Sequence, residues 1–524
     1  MKKKILLLVA LCSMMIPLQV MGQHSGEEIE LEYRKWRVTL FPPLSTNGLE
    51  AVDYTARYSI NILGGYHGGL DGGELGGLIN YNKYYTHGGQ LAGLANISGG
   101  DMQGVNIAGI GNFSNYSMSG IQVAGLGNVS GAELEGIQFA GLLNSAAEGS
   151  SGLQFAGLAN VAGGDLEGLQ FGGLINATDG SISGLQGAGI TNLARNDVEG
   201  LQAAGILNFA GGDISGVQAA GVANIARDDV EGLQAAGAIN FAGADVSGLI
   251  ASGGANIALK NIEGLLVTGG ANIALEDASG FLVAGGLNVA RQMEGLMISG
   301  GANIAQNMEG LQFAGFLNAS QTAKGLQIGV INIAKEFEGV PIGLISLYGN
   351  GRKNMDVRYS DGGFTDIGIT LGTYRVYNAA ILGYNTSLDR DVYRVGMAVG
   401  LEKNIQDAFE NWNDKSMYVN QEFSVLHHFE DEWSDKLNLL YSYKYHIGKR
   451  FSSGFSIYGG PTFNMLVSRV DGASDYSWYS LWSPKWKGRD YRFWVGFTAG
   501  IRLFKQKEMK RFRNEFQSWD IDWN

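Results

Sequence analysis

Primary amides at fixed spacing are the residues of this chain best equipped for chemistry. Gln154 and Asn160, Gln170 and Asn176, Gln186 and Asn192, and Gln202 and Asn208 stand six apart within a pair and sixteen apart between pairs. Each amide offers two N–H donors and one carbonyl acceptor, so such a set can pair with itself or line a polar path, but supplies neither a nucleophile nor a proton-transfer group. The six histidines (His24, His67, His87, His427, His428 and His446) show no metal-ligand spacing. His427 and His428 are adjacent in an extended segment and so point to opposite faces. No Gly-X-Ser-X-Gly elbow occurs, and no glycine pair runs into Gly-Lys-Ser/Thr. Acidic turns (Asp165, Glu167, Asp197, Glu199, Asp229, Glu231) read as solvated corners that discourage edge pairing, in preference to divalent-cation sites at lipid headgroups. Tyr476, Trp478, Tyr479, Trp482 and Trp486 cluster in one loop. Anchoring at a lipid interface or packing over a barrel mouth is preferred there to contact with a glycan or a protein. The expectation is therefore a protein without cofactor, metal or catalytic site.

The elements that carry these residues are repeats. Glycine recurs every sixteen residues from Gly72 to Gly280, then at Gly295, Gly310, Gly325 and Gly339, making eighteen copies of one unit. A second glycine usually follows five residues on, and an Asn eight on. Numbered from the first glycine, positions 1–11 of the sixteen-residue copies carry no charge except at Glu74. Positions 12–16 hold nearly all of it, as in Arg195-Asn196-Asp197. Position 16 alternates in type: Ser119, Glu135, Ser151, Glu167, Ser183, Glu199, Ser215, Glu231.

Two arrangements account for this pattern. In the first, each unit is one strand of an antiparallel up-and-down outer-membrane β-barrel. Eleven extended residues reach about 36 Å, or roughly 26 Å of depth at a 45° tilt, which matches an outer-membrane hydrocarbon band. The near-palindromic unit would set Gln opposite Asn in antiparallel neighbours, and serine and glutamate turns would occupy opposite rims. In the alternative, the units are coils of a parallel β-solenoid followed by a smaller C-terminal barrel. Like residues then stack, the apolar residue at position 15 turns inward, and the alternation keeps glutamates from neighbouring one another. Such a solenoid would expose an almost uncharged surface. The barrel, for its part, would lack aromatic girdles between Tyr116 and Tyr348. The all-β class is common to both, and the barrel is the arrangement preferred here.

Residues 1–22 have the form of a secretory leader: Lys2–Lys4, an apolar stretch, and Val20-Met21-Gly22 before the cleavage point. The one cysteine, Cys12, lies inside it, so the mature chain would have neither thiol chemistry nor disulfides. Loss of three lysines with the leader takes the formal charge from −13 to −16, a poor basis for nucleic-acid binding. Residues 23–71 contain strands at Glu30–Phe41 and Tyr54–Leu63 around Pro42-Pro43, and the glycine-rich repeats fill 72–351. Residues 352–504 carry long alternating segments of transmembrane-strand type, clearest where Phe493, Val495, Phe497, Ala499, Ile501 and Leu503 share one face. A basic and aromatic tail occupies 505–524.

Gly-Leu-Gln-Phe-Ala-Gly-Leu-Ala-Asn-Val-Ala (152–162), Gly-Leu-Gln-Ile-Gly-Val-Ile-Asn-Ile-Ala (325–334) and Val-Pro-Ile-Gly-Leu-Ile-Ser (340–346) resemble the surface-repeat proteins of Gram-negative envelopes. The likeness extends from Phe-Pro-Pro-Leu-Ser-Thr-Asn-Gly (41–48) to Ile-Tyr-Gly-Gly-Pro-Thr-Phe-Asn (457–464). It implies an outer-membrane or surface location and brings no catalytic residues. The chain departs from that pattern by running about twenty residues past Phe504, where a barrel strand would normally stop. The function expected is that of a non-enzymatic envelope protein in contact with outer-membrane lipid, with an envelope protein or a glycan as further partner. A pore or transport component whose amides line the path comes first, and a surface scaffold or adhesin is the alternative.

Overall fold

The computed structural model describes residues 30–504, apart from 409–413, 415, 431, 432, 434, 435, 452, 453, 471 and 472. The leader expected at 1–22 and the tail expected at 505–524 lie outside the described residues. The fold is all-β, with parallel β-solenoid coils and a closed eight-stranded antiparallel barrel. Two compact units, 1–252 and 253–524, are taken in turn.

The first unit opens with Glu32–Phe41, which pairs in parallel with Tyr54–Asn61; that strand pairs in parallel with Gly64–Gly76, and Gly64–Gly76 with Ile79–Ala92. From there each copy contributes two strands, illustrated by Ser150–Ala156 and Ala159–Ala162. Ser150–Ala156 lies parallel to Leu134–Ala140 on one side and Leu166–Gly172 on the other, with Gln154 opposite both Gln138 and Gln170. Ala159–Ala162 likewise sets Asn160 beside Asn144 and Asn176.

This overturns the antiparallel reading of the repeats. Consecutive copies run in the same direction, like stacks on like, and the serine and glutamate positions share one edge, as in Ser119, Glu135 and Ser151. The reason lies at Gly157-Leu158, where the chain turns in the middle of its uncharged segment. Eleven residues thus form two short strands and not one membrane-crossing strand. The turn is held from the neighbouring coil: Gly157 N–H donates to Ala140 O, and Leu158 and Ala159 N–H both donate to Leu142 O.

Glycine at two positions permits the stacking. Gly152 has φ of 128°, and a Cβ there would lie 2.1 Å from Gly136 O. A Cβ on Gly157 would lie 2.1 Å from Gly141 O. Inside each coil sit positions 15, 3 and 5 of one strand and 9 and 11 of the other, so Leu166, Gln154, Ala156, Asn160 and Ala162 are all buried.

The second unit continues with coils of the same kind, then changes where the period shortens. Loss of one residue removes the corner before position 15. Leu287–Ser299 and Ala302–Ala314 are single strands where a sixteen-residue copy has two. After Ile345–Tyr348 the barrel begins: Arg352–Ser360, Phe364–Gly372, Val376–Asn385, Val392–Asn404, Met417–Glu430, Asn438–Phe451, Phe455–Ser468 and Arg489–Leu503. Neighbours are antiparallel, and Arg352–Ser360 pairs with Arg489–Leu503 to close the cylinder.

Candidate functional site

The amides picked out by spacing are brought together as two ladders inside the coils. Asn144 Nδ2 donates to Asn160 Oδ1 at 3.0 Å and to Phe155 O at 2.8 Å, and Asn160 Nδ2 donates to Asn176 Oδ1 at 2.9 Å. The series runs on through Asn192 and Asn208. The glutamines point the other way along the stack. Gln170 donates back to Gln154 at 2.6 Å, Gln186 to Gln170 at 2.9 Å and Gln202 to Gln186 at 3.0 Å. All eight side chains have zero exposure, so they face the coil interior and line no channel. Opposed chains of amide dipoles offset one another, and each of these eight buried amides is hydrogen-bonded within its ladder.

The Asn ladder leads back, through Asn128, Asn112, Asn96 and Asn80, to a buried ion pair that spacing alone did not reveal, whereas the Gln ladder ends at Gln138, which donates to Met118 Sδ. Arg37 Nη2 lies 3.0 Å from Glu74 Oε1, with both side chains fully buried. Glu74 also accepts from Ser59, Asn61, Asn82 and Gln90 at 2.7–2.9 Å. Asn61 in turn donates to Asn80 Oδ1 at 2.8 Å, which starts the Asn ladder. Burial by itself would raise the Glu74 carboxyl, but Arg37, His67 and the amide donors hold it down to about 2. His67 is lowered to about 3, by burial first and then by Arg37. The clue was Glu74 itself, since a lone charge in an uncharged segment requires an opposite charge beside it. Arg37 carried no such signal, standing in an ordinary exposed-looking strand.

The barrel interior is charged and filled. Glu402 lies between Arg352 at 3.0 Å, Arg450 at 2.7 Å and Arg502 at 2.6 Å, and Arg502 also meets Asp356 at 2.7 Å. Glu422 joins Arg358 at 2.6 Å to Lys444 at 2.9 Å, while Arg394 meets Asp366 at 2.6 Å. Tyr377 donates to Glu422 Oε2 at 2.9 Å and lies under the Arg352 guanidinium. A cavity of about 20 Å³ among Arg394, His428 and Lys444 is room for roughly one water. The outer face is the reverse: Ile367, Ile369, Leu382, Met397, Phe423 and Ile501 are exposed.

Asn378 ties barrel to coils within the second unit. Its Nδ2 donates to Ser346 Oγ at 2.7 Å, and Ser346 Oγ also accepts from Asn332 at the end of that unit's Asn ladder. The aromatic loop divides. Tyr476 is buried against Phe364 and His428 and donates to Glu430 at 2.7 Å, closing one end of the barrel. Trp478, Tyr479, Trp482 and Trp486 stay exposed. Trp482 stacks on Phe493 at 5.2 Å, and Trp478 lies 6.3 Å from Phe497, on the outer side of the last strand. Among the acidic turns, Asp165 and Asp197 accept backbone N–H groups of the next coil, from Ser181 at 2.7 Å and Asp213 at 2.9 Å. No group of three metal-ligating side chains occurs among the described residues.

Neither family models, curated proteins nor solved structures yield a match to the chain.

Proposed function

We propose that this chain is a non-enzymatic outer-membrane protein in which the barrel is a filled anchor and the coils form a surface scaffold. The observation that carries this reading is the barrel's polarity. Ile367, Ile369 and Phe423 face outward, while Glu402, Arg502, Glu422 and Arg358 are buried within. That suits a cylinder surrounded by lipid and is costly for one surrounded by water. The exposed tryptophans beside the last strand fit an interfacial anchor. The resemblance to Gram-negative surface-repeat proteins and the leader-like 1–22 agree with export. The filled interior favours an anchor over a pore, and the amides that would have lined a path are enclosed in the coils. Lipid is the proposed partner.

The test is reconstitution of the folded chain. Unheated protein is expected to migrate faster on a detergent gel than boiled protein, and planar bilayers containing it are expected to show no conductance above the lipid baseline. Steady channel currents from well-folded protein would restore the pore. Loss of heat-dependent migration would remove the membrane barrel.

A further inference from the structure

The coils are inside-out. Gln and Asn lie within, and the exposed side chains on one edge are apolar. At position 7, every coil from Leu78 to Val222 exposes a Leu, Ile or Val. At about 4.8 Å per coil these ten residues form a straight ridge about 43 Å long. Beside it, Phe139, Phe155 and Phe171 stack at 5.2 Å and line an open groove with Gly141, Gly157 and Gly173. The opposite edge carries Asp and Glu.

We propose that this Gly-Leu edge of the first unit is seated in the hydrocarbon of a single lipid leaflet, with the acidic edge left in water. The claim rests on the outer-membrane reading of the barrel, which places a bilayer at hand. Three observations identify lipid as the occupant. First, folding the uncharged segment at Gly157-Leu158 halves its reach: positions 1–5 extend about 16 Å, close to half of the ~30 Å hydrocarbon thickness. A segment with the uncharged length of a bilayer crossing becomes a bent pair of strands with the depth of one leaflet.

Second, the edge can enter hydrocarbon without stranding backbone donors. The N–H groups of Gly157, Leu158 and Ala159 are all taken by the previous coil, and the same three bonds recur at Gly125, Leu126 and Gly127. Third, the ridge is long, regular and aliphatic, and the stacked phenylalanines beside it widen the same apolar surface. A protein partner would call for arginine anchors and a polar rim, and positions 1–11 around this ridge carry no charge except the buried Glu74.

Site-directed spin labelling of the full mature chain tests this, because the sequence's one cysteine lies in the leader. Leu126→Cys and Leu158→Cys report the apolar edge, Ser151→Cys and Glu167→Cys the acidic edge, and Ile369→Cys the barrel. In phosphatidylethanolamine/phosphatidylglycerol vesicles, the Leu126 and Leu158 sites are expected to collide freely with oxygen. Their collisions with an aqueous nickel chelate should fall severalfold below those at Ser151 and Glu167. Nickel access at the edge equal to that at Glu167, with Ile369 still in lipid, would overturn the inference and leave the anchor standing. Shielding at the edge accompanied by spin–spin broadening that vanishes on dilution with unlabelled protein would also overturn it, since a second copy would then cover the ridge. Nickel access at Ile369 would sink the anchor instead, and the edge sites are read independently of it.

Discussion

Single atoms decide whether these coils close. At Gly157 an added methyl would sit 2.1 Å from a backbone oxygen with nowhere to retreat, whereas at Gly89 the nearest atom is 3.9 Å away. Gly157→Ala is expected to destabilise the coils around it by about 3 kcal/mol or more, and Gly89→Ala to stay within about 0.5 kcal/mol. Hydrogen exchange of amides in 141–173 and 73–105 measures both, and equal protection in the two variants would refute the stacking argument. The Arg37–Glu74–His67 cluster predicts acid sensitivity at the N-terminal end. Glu74 is held at about 2, below its ordinary 4.5, so its contribution is complete above 4.5 and fades as pH falls towards 2. His67 at about 3 lies below its ordinary 6.5, so an unfolded chain takes that proton first and stability drops as pH falls from 6.5 towards 3. Protection of Glu32–Phe41 and Gly64–Gly76, corrected for intrinsic exchange, should therefore decline from about pH 6.5 downwards. Glu74→Gln should make the decline below 4.5 shallower and leave the His67 part, which runs from 6.5 towards 3. Glu74 was conspicuous in the sequence, but Arg37 had no spacing to mark it.

At the scale of strands and turns, the repeat length and the uncharged band were plain from the residues, and the fold direction was not. Corners are usually betrayed by Asn, Asp or Pro, which bond within their own turn. The Gly157-Leu158 corner is instead held by carbonyls of the preceding coil, so its one local sign is the recurring second glycine, which a strand can also carry. The palindrome then made a single strand look natural. In the barrel, alternation was clearest in the last strand, Arg489–Leu503; Arg352–Ser360 is less apparent because its inward side is Arg352, Asn354, Asp356 and Arg358. The acidic edge yields its own prediction. Ser183 stands between Glu167 and Glu199, and Ser183→Glu would align three carboxylates at about 4.8 Å intervals. A local loss of about 0.5–1 kcal/mol at low salt is expected, shrinking as ionic strength rises. Salt-independent stability would show that the alternation has another origin. The alternation ends at Glu294 and Glu309, which are direct neighbours, and there Lys324 follows on the next coil and bonds Glu309 at 3.0 Å.

For the molecule as a whole, a small closed barrel with a salt-bridged interior replaces the wide cylinder that single-strand repeats would have built. An eight-stranded barrel has an interior that side chains can fill, and Glu402 and Glu422 with their cations fill this one. The serine–glutamate alternation carries a last implication, for heredity. Excising one coil brings two like residues together, whereas excising two restores the pattern on both sides of the join. Length variants of this gene are thus expected to differ by steps of about 32 codons, and tandem duplication in odd numbers of coils should leave a scar that selection repairs by replacing a glutamate or inserting a lysine.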